Sequence, residues 1–141
     1  MMNKIYIVVV FLLLIGCKEE LTEKPVKMFP NGTVEEKHFL DTEGTVKKTI
    51  QYYKNGNIKI EGEFNDDGKR EGMWKSYYEN GQPWSIGEYQ NGKQHGINRV
   101  YFPNGSVRYE GNWENDLKTG TWNFYDEKGG LVKSEDNSMS K

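Results

Sequence analysis

The sequence predicts an all-β fold, an antiparallel β-meander of tandem hairpin repeats about 24 residues long, laid out as a single elongated twisted sheet. Three observations predict it. Glycines recur at Gly56, Gly81, Gly105 and Gly129, spaced 25, 24 and 24 residues apart. Two further sets keep that period, Gly62, Gly87 and Gly111 in one and Gly72, Gly96 and Gly120 in the other. Aromatic residues share the register: Tyr77, Tyr101 and Tyr125 follow the third glycine set, and Phe64, Tyr89 and Trp113 follow the second. Self-similarity at one fixed period marks a stack of units, each of which buries its apolar side only against its neighbours.

Each hairpin is written locally. Asn-Gly occurs at Asn31-Gly32, Asn55-Gly56, Asn80-Gly81, Asn91-Gly92 and Asn104-Gly105. Both residues tolerate positive φ, so the dipeptide predicts tight hairpin turns. Between turns the residues alternate. Ile58, Ile60, Gly62 and Phe64 fall on one side of a strand and Lys59, Glu61 and Glu63 on the other, and Val107, Tyr109, Gly111 and Trp113 oppose Arg108, Glu110 and Asn112 in the same way. A period of two with one apolar side is a half-buried antiparallel strand. A glycine inside such a strand leaves room for a ring to lie across the backbone. The return strands are expected over Met73–Tyr78, Ile97–Phe102 and Thr121–Tyr125, with turns at Asp66-Asp67-Gly68, Asn91-Gly92 and Asn115-Asp116. About nine strands result, and no stretch keeps a helical period.

The repeats occupy residues 28–133, about four in all. The first is degenerate: Phe29-Pro30-Asn31-Gly32 matches Phe102-Pro103-Asn104-Gly105, but His38 stands where a glycine belongs, as suits a capping repeat. Residues 134–141 read as a disordered polar tail. At the other end, Lys4 precedes an apolar run from Ile5 to Ile15 that is shorter than the roughly 20 residues a membrane helix needs. It has the length of a signal-peptide core and ends at Leu14-Ile15-Gly16-Cys17. That tetrapeptide resembles a bacterial lipobox, which implies cleavage after residue 16 and a lipid on the Cys17 thiol. Residues 17–27 then form the lipidated cysteine and a tether. The expected location is exported and lipid-anchored in the cell envelope, at the outer membrane and, from Lys18-Glu19-Glu20, at the cell surface.

The stretch Tyr109-Glu110-Gly111-Asn112-Trp113-Glu114-Asn115, with Gly120 and Trp122 after it, resembles a MORN repeat. Gly72-x-Trp74-x-x-Tyr77-Tyr78-x-Asn80-Gly81 is similar to the bacterial MORN variant of YwqK-type proteins. The resemblance covers Asn55 to Gly130 well and Met28 to Tyr53 weakly. It implies a contact module. Bacterial members are often labelled antitoxins or immunity proteins, so an antitoxin-like or immunity-like role is implied too, and an immunity-type lipoprotein facing an extracytoplasmic toxin agrees with export.

The residue inventory points away from turnover. Lys and Arg number 19 against 21 Asp and Glu, too even a balance for nucleic-acid binding. With the lone Cys17 taken by lipid, no Cys/His metal spacing remains, no metal or other cofactor is expected, and Asp66-Asp67-Gly68 reads as a plain turn. His95 aligns with Glu71 and Thr119 and reads as a solvent-exposed turn residue. The chain is therefore expected to be no enzyme. What remains is aromatic surface. Trp84 and Ile86 point away from the apolar side of their strand, at positions where other repeats hold Lys59, Glu61, Arg108 and Glu110. With Tyr77 and Tyr101 they are the candidate partner-binding residues, and the expected partner is a protein. The alternative is a cell-envelope carbohydrate or peptidoglycan stacked on exposed rings.

Overall fold

The structure, a computed structural model, describes residues 20–138. Ten strands lie in one sheet in chain order, each antiparallel to its sequence neighbours. They are β1 (Thr22–Met28), β2 (Val34–Leu40), β3 (Val46–Tyr52), β4 (Ile58–Phe64) and β5 (Arg70–Tyr77), then β6 (Pro83–Gln90), β7 (Lys93–Tyr101), β8 (Val107–Glu114), β9 (Leu117–Tyr125) and β10 (Leu131–Asp136). The extensive contacts all join adjacent strands, as a repeat stack requires. The all-β meander is as the repeat pattern predicts, with one strand more than the nine expected. The extra pairing is at the ends. β1 begins inside the segment expected to be a tether, because its polar residues pair with β2 through backbone bonds that need no apolar side. β10 likewise runs three residues into the segment expected to be a disordered tail, Ser134 to Asp136, paired with β9. The signal-peptide segment, residues 1–16, and Cys17 lie outside the described residues.

The two sides of the sheet differ in chemistry. One carries the aromatic ladder. Trp74 and Trp122 are 6% and 1% exposed, and with Val100 they are the buried hydrophobic residues of the described chain. Each indole lies flat on the glycine of the preceding strand. A Cβ on Gly62 would stand 2.1 Å from Trp74 Cδ2, and one on Gly111 would stand 2.3 Å from Trp122 Cδ2. The two sites repeat in detail. Trp74 Nε1 donates to the Glu63 carbonyl at 3.0 Å, and Trp122 Nε1 donates to the Asn112 carbonyl at 3.1 Å. Phe64 and Trp113 meet their indoles edge-on, each with centroids 5.2 Å apart. A cation caps each: Arg70 sits 4.1 Å from the Trp74 ring and Lys118 Nζ sits 4.5 Å from the Trp122 ring. Glycine floor, aromatic edge, carbonyl acceptor and cationic lid together make one buried unit of the stack.

The other two copies depart from this unit in different ways. Between β2 and β3 the bulk changes strands: His38 replaces the glycine, and its cross-strand partner Thr49, 4% exposed, replaces the indole. Glu36 ties the pair, 3.0 Å from His38 Nε2 and accepting from Thr49 Oγ1 at 3.1 Å. Between β6 and β7 the bulk is simply lost. Asn98 replaces the indole opposite Gly87, and Gln94 replaces the cation.

The turns correct two expectations. Only Asn91-Gly92 and Asn115-Asp116 have both residues at positive φ. At Gly32, Gly56, Gly81 and Gly105 the glycine alone does, and the preceding Asn serves through its side chain, as where Asn55 Oδ1 accepts from Asn57 N at 3.0 Å. These are longer hairpin loops closed by a bulge glycine. On the opposite rim the return strands start earlier than expected. Arg70 and Glu71 extend β5, so do Lys93 to Gly96 for β7, and Leu117 to Gly120 extends β9, with Gly72, Gly96 and Gly120 absorbing a bulge inside the strand. His95 is therefore a half-buried strand residue and not an exposed turn residue. Its Nδ1 is enclosed with no hydrogen-bond partner in the structure.

Candidate interaction surface

The side opposite the indoles is built from charges and tyrosines. Its repeating element is a carboxylate held between a phenol and a cation. Tyr77 Oη donates to Glu61 Oε1 at 2.8 Å, and Lys48 Nζ lies 3.6 Å from the same carboxylate. Two strand pairs on, Tyr125 Oη donates to Glu110 Oε1 at 3.0 Å and Arg99 holds Glu110 Oε2 at 2.6 Å. Burial, then the bond to Glu61, pushes the Tyr77 phenol up to about 12. The Glu110 bond first, then burial, raises that of Tyr125. Half-burial strengthens these contacts, since the ends of a charge-assisted hydrogen bond are screened less there than in open water.

β6 breaks this element. At the positions of Glu61 and Glu110 it carries Ile86, and at those of Lys59 and Arg108 it carries Trp84. Ile86 is half-buried between Lys75 of β5 and Arg99 of β7, its two direct cross-strand neighbours. Trp84 is 47% exposed. Tyr77 and Tyr101, on the strands either side, are half-buried on the same side of the sheet. All four residues singled out from the sequence thus fall on β5, β6 and β7. Two more join them: Met73 and Ile97, 41% and 37% exposed, next to the bulge glycines Gly72 and Gly96. Sequence reasoning missed this pair. The available signal was that both follow a repeat glycine at a position where the next copy places Thr121. Six apolar or amphipathic side chains thus lie on this side of three adjacent strands, interleaved with Lys75, Glu88 and Arg99, and together they make up a patch. Elsewhere on this side the repeats present Lys59, Glu63, Arg108 and Asn112. Among the described residues no cluster of His, Cys, Asp and Glu is placed to hold a metal ion.

These features define a class, an open single-layer sheet of β-hairpin repeats whose middle copy departs from its neighbours on both sides. Three stretches, residues 43–66, 70–91 and 94–115, match the family model described as MORN repeat variant. The chain carries MORN repeats, and each matched stretch coincides with one hairpin, β3–β4, β5–β6 or β7–β8. No curated protein matches the chain.

Proposed function

We propose that this protein is a membrane-anchored docking module that binds another protein through the patch on β5, β6 and β7 and carries out no turnover. MORN repeats often serve as protein-interaction or membrane-interaction modules, and this chain carries three matched copies. The observation that carries the reading is Trp84, a tryptophan 47% exposed on a strand position that neighbouring repeats fill with Lys59 and Arg108. Leaving that much indole in water is unfavourable by about 25 cal/mol per Å² of apolar surface, and a partner that covers it removes the cost. Trp and Tyr are also the residue types that dominate binding hot spots.

The anchor rests on the sequence Leu14-Ile15-Gly16-Cys17. With a lipid on Cys17, five Cα steps lead to Thr22 at the start of β1, at most about 3.6 Å each or roughly 18 Å in all. The sheet would therefore be held close to the bilayer by its β1 edge, in the cell envelope and, by our reading, at the outer membrane. A partner there that is an exported toxin would make the module immunity-like. We favour a protein over the alternative occupant, an envelope glycan, because exposed Trp84 lies among tyrosines and aliphatic side chains of the kind that anchor protein partners. The test is affinity capture from native envelope with the Cys17-anchored chain and its Trp84→Ala variant. One stoichiometric protein, lost in the variant while the fold is retained, supports the reading. Capture of envelope glycan in its place, or equal capture by both chains, overturns it.

A further inference from the structure

We infer that the partner docks on this patch with an acidic side chain set among apolar ones, its carboxylate placed over Ile86. This deepens the docking reading above and rests on it. The argument comes from comparing copies of the repeat. In two of them a carboxylate at this position receives a tyrosine hydroxyl and a cation: Glu61 with Tyr77 and Lys48, and Glu110 with Tyr125 and Arg99. In the middle copy the surroundings persist while the carboxylate is gone. Lys75 and Arg99 still flank the position from both neighbouring strands. Lys75 is exposed and makes no ion pair among the described residues. Tyr101 stands at the position of Tyr77 and Tyr125, whose hydroxyls donate to Glu61 and Glu110, but its copy holds Ile86 where they meet a carboxylate. Arg99 is already held by Glu110, and Glu61 across from Lys75 is taken by Lys48 and Tyr77, so Lys75 and Tyr101 are the groups left bordering an aliphatic side chain, with exposed Trp84 on the same strand.

Such a site selects its ligand on two grounds. Ile86 and Trp84 require apolar cover. Lys75 and Tyr101 require an acceptor, preferably an anion, because burying an ammonium beneath an apolar partner without one is costly. An apolar segment that carries a glutamate or aspartate meets both needs. A basic segment is repelled by Lys75, and a purely apolar one leaves the ammonium desolvated and unpaired.

The probes are two short acetylated peptides, one alternating leucine with glutamate and its twin alternating leucine with glutamine. Each is titrated into the full chain in detergent micelles and followed by amide chemical shifts. The acidic peptide is expected to shift the amides of Lys75, Ile86 and Tyr101 and to bind about three-fold or more tighter than its twin at low salt, with the gap closing at high salt. Ile86→Glu restores the residue that the other copies hold there, so the sheet tolerates it, and the preference for the acidic peptide should vanish. Ile86→Gln, which adds no charge, should keep it. Equal binding of both peptides at the patch overturns the inference and leaves the docking reading standing. Binding of neither at the patch overturns the inference and counts against docking as well.

Discussion

One alanine, placed at two equivalent glycines, should have opposite consequences. Gly111 and Gly87 occupy the same position in successive copies, and neither has a backbone conformation closed to an L residue. At Gly111 the new methyl would stand 2.3 to 2.6 Å from three atoms of the Trp122 indole. The ring has nowhere to go. Its Nε1 is bonded to the Asn112 carbonyl, Trp113 meets it edge-on, and Lys118 lies over its face. Overpacking of this kind costs about 1–3 kcal/mol if the ring stays, and about 3–5 kcal/mol if the indole is driven into solvent. At Gly87 the nearest atoms to the methyl are Asn98 Nδ2 at 3.3 Å and Tyr89 Cε2 at 3.6 Å. The amide end of Asn98 can turn aside, and alanine removes roughly 0.5–1 kcal/mol of backbone entropy loss that glycine suffers in a strand. Gly87→Ala should therefore be neutral or slightly stabilising. Urea unfolding followed by tryptophan fluorescence reads the difference directly. With a slope of about 1–3 kcal/mol/M, Gly111→Ala should lower the midpoint by roughly 1–2 M while Gly87→Ala leaves it unmoved or raises it. Equal losses at both positions would refute the argument, since they would mean that the Gly87 site is packed as tightly as the tryptophan sites.

The same reasoning predicts that Asn98→Trp raises the melting temperature, by restoring the indole that Gly62 and Gly111 accommodate in their copies; a scan by differential calorimetry checks it, and a fall in melting temperature would show that Tyr89 has already closed the space. Tyr77 supplies a pH test. Its folded-state pKa is raised to about 12, so its contribution to stability is fully present below about pH 10 and is lost as pH rises through about 12. Absorbance titration should find a phenol ionising near pH 12, and Tyr77→Phe, at a cost of about 1 kcal/mol from the lost bond to Glu61, should remove that step.

The sheet was legible from the sequence because a period-two pattern fixes which side chains share a side and a repeated glycine fixes where the next ring goes. Gly62 and Gly111 illustrate this: a glycine in a strand implied a ring across it, and Trp74 and Trp122 are those rings. Three things were not legible. Turn type was misjudged because Asn-Gly serves two geometries, and at Asn55 the asparagine acts through its side-chain oxygen without adopting positive φ. Return strands begin before the bulge glycines because a strand can absorb Gly72 and Gly96 without ending, which moved His95 from a turn into β7. The outer strands β1 and β10 pair through backbone bonds and exposed polar contacts such as Lys27 with Glu35 and Ser134 with Asn123, and Thr22 to Met28 is exposed throughout, so no apolar pattern announced it. For the patch, Trp84 and Ile86 stood out as exceptions to the repeat. Met73 and Ile97 did not, because an apolar residue beside a bulge is compatible with either side of the sheet.

A single-layer sheet has no second layer to bury it, and this constrains where function can sit. Stability comes from local units, a glycine floor with an indole on it, a cation above and an aromatic beside, repeated along the stack at Trp74 and Trp122. A copy that abandons the unit loses stabilisation, and only neighbours that remain intact on both sides can carry it. The β6–β7 hairpin is that copy. It gives up the indole at Asn98 and the cation at Gln94 on one side, and on the other it exchanges a charged pair for Trp84 and Ile86. Its neighbours β4–β5 and β8–β9 keep the full unit, so the weak copy is clamped between two strong ones. Four departures from the repeat in one hairpin, each costing something in packing or solvation, are hard to account for as drift in a fold this thin. On the docking reading proposed above, the pair at Trp84 and Ile86 is kept for a partner, and the solvation free energy it leaves unrealised in the folded chain is recovered on binding.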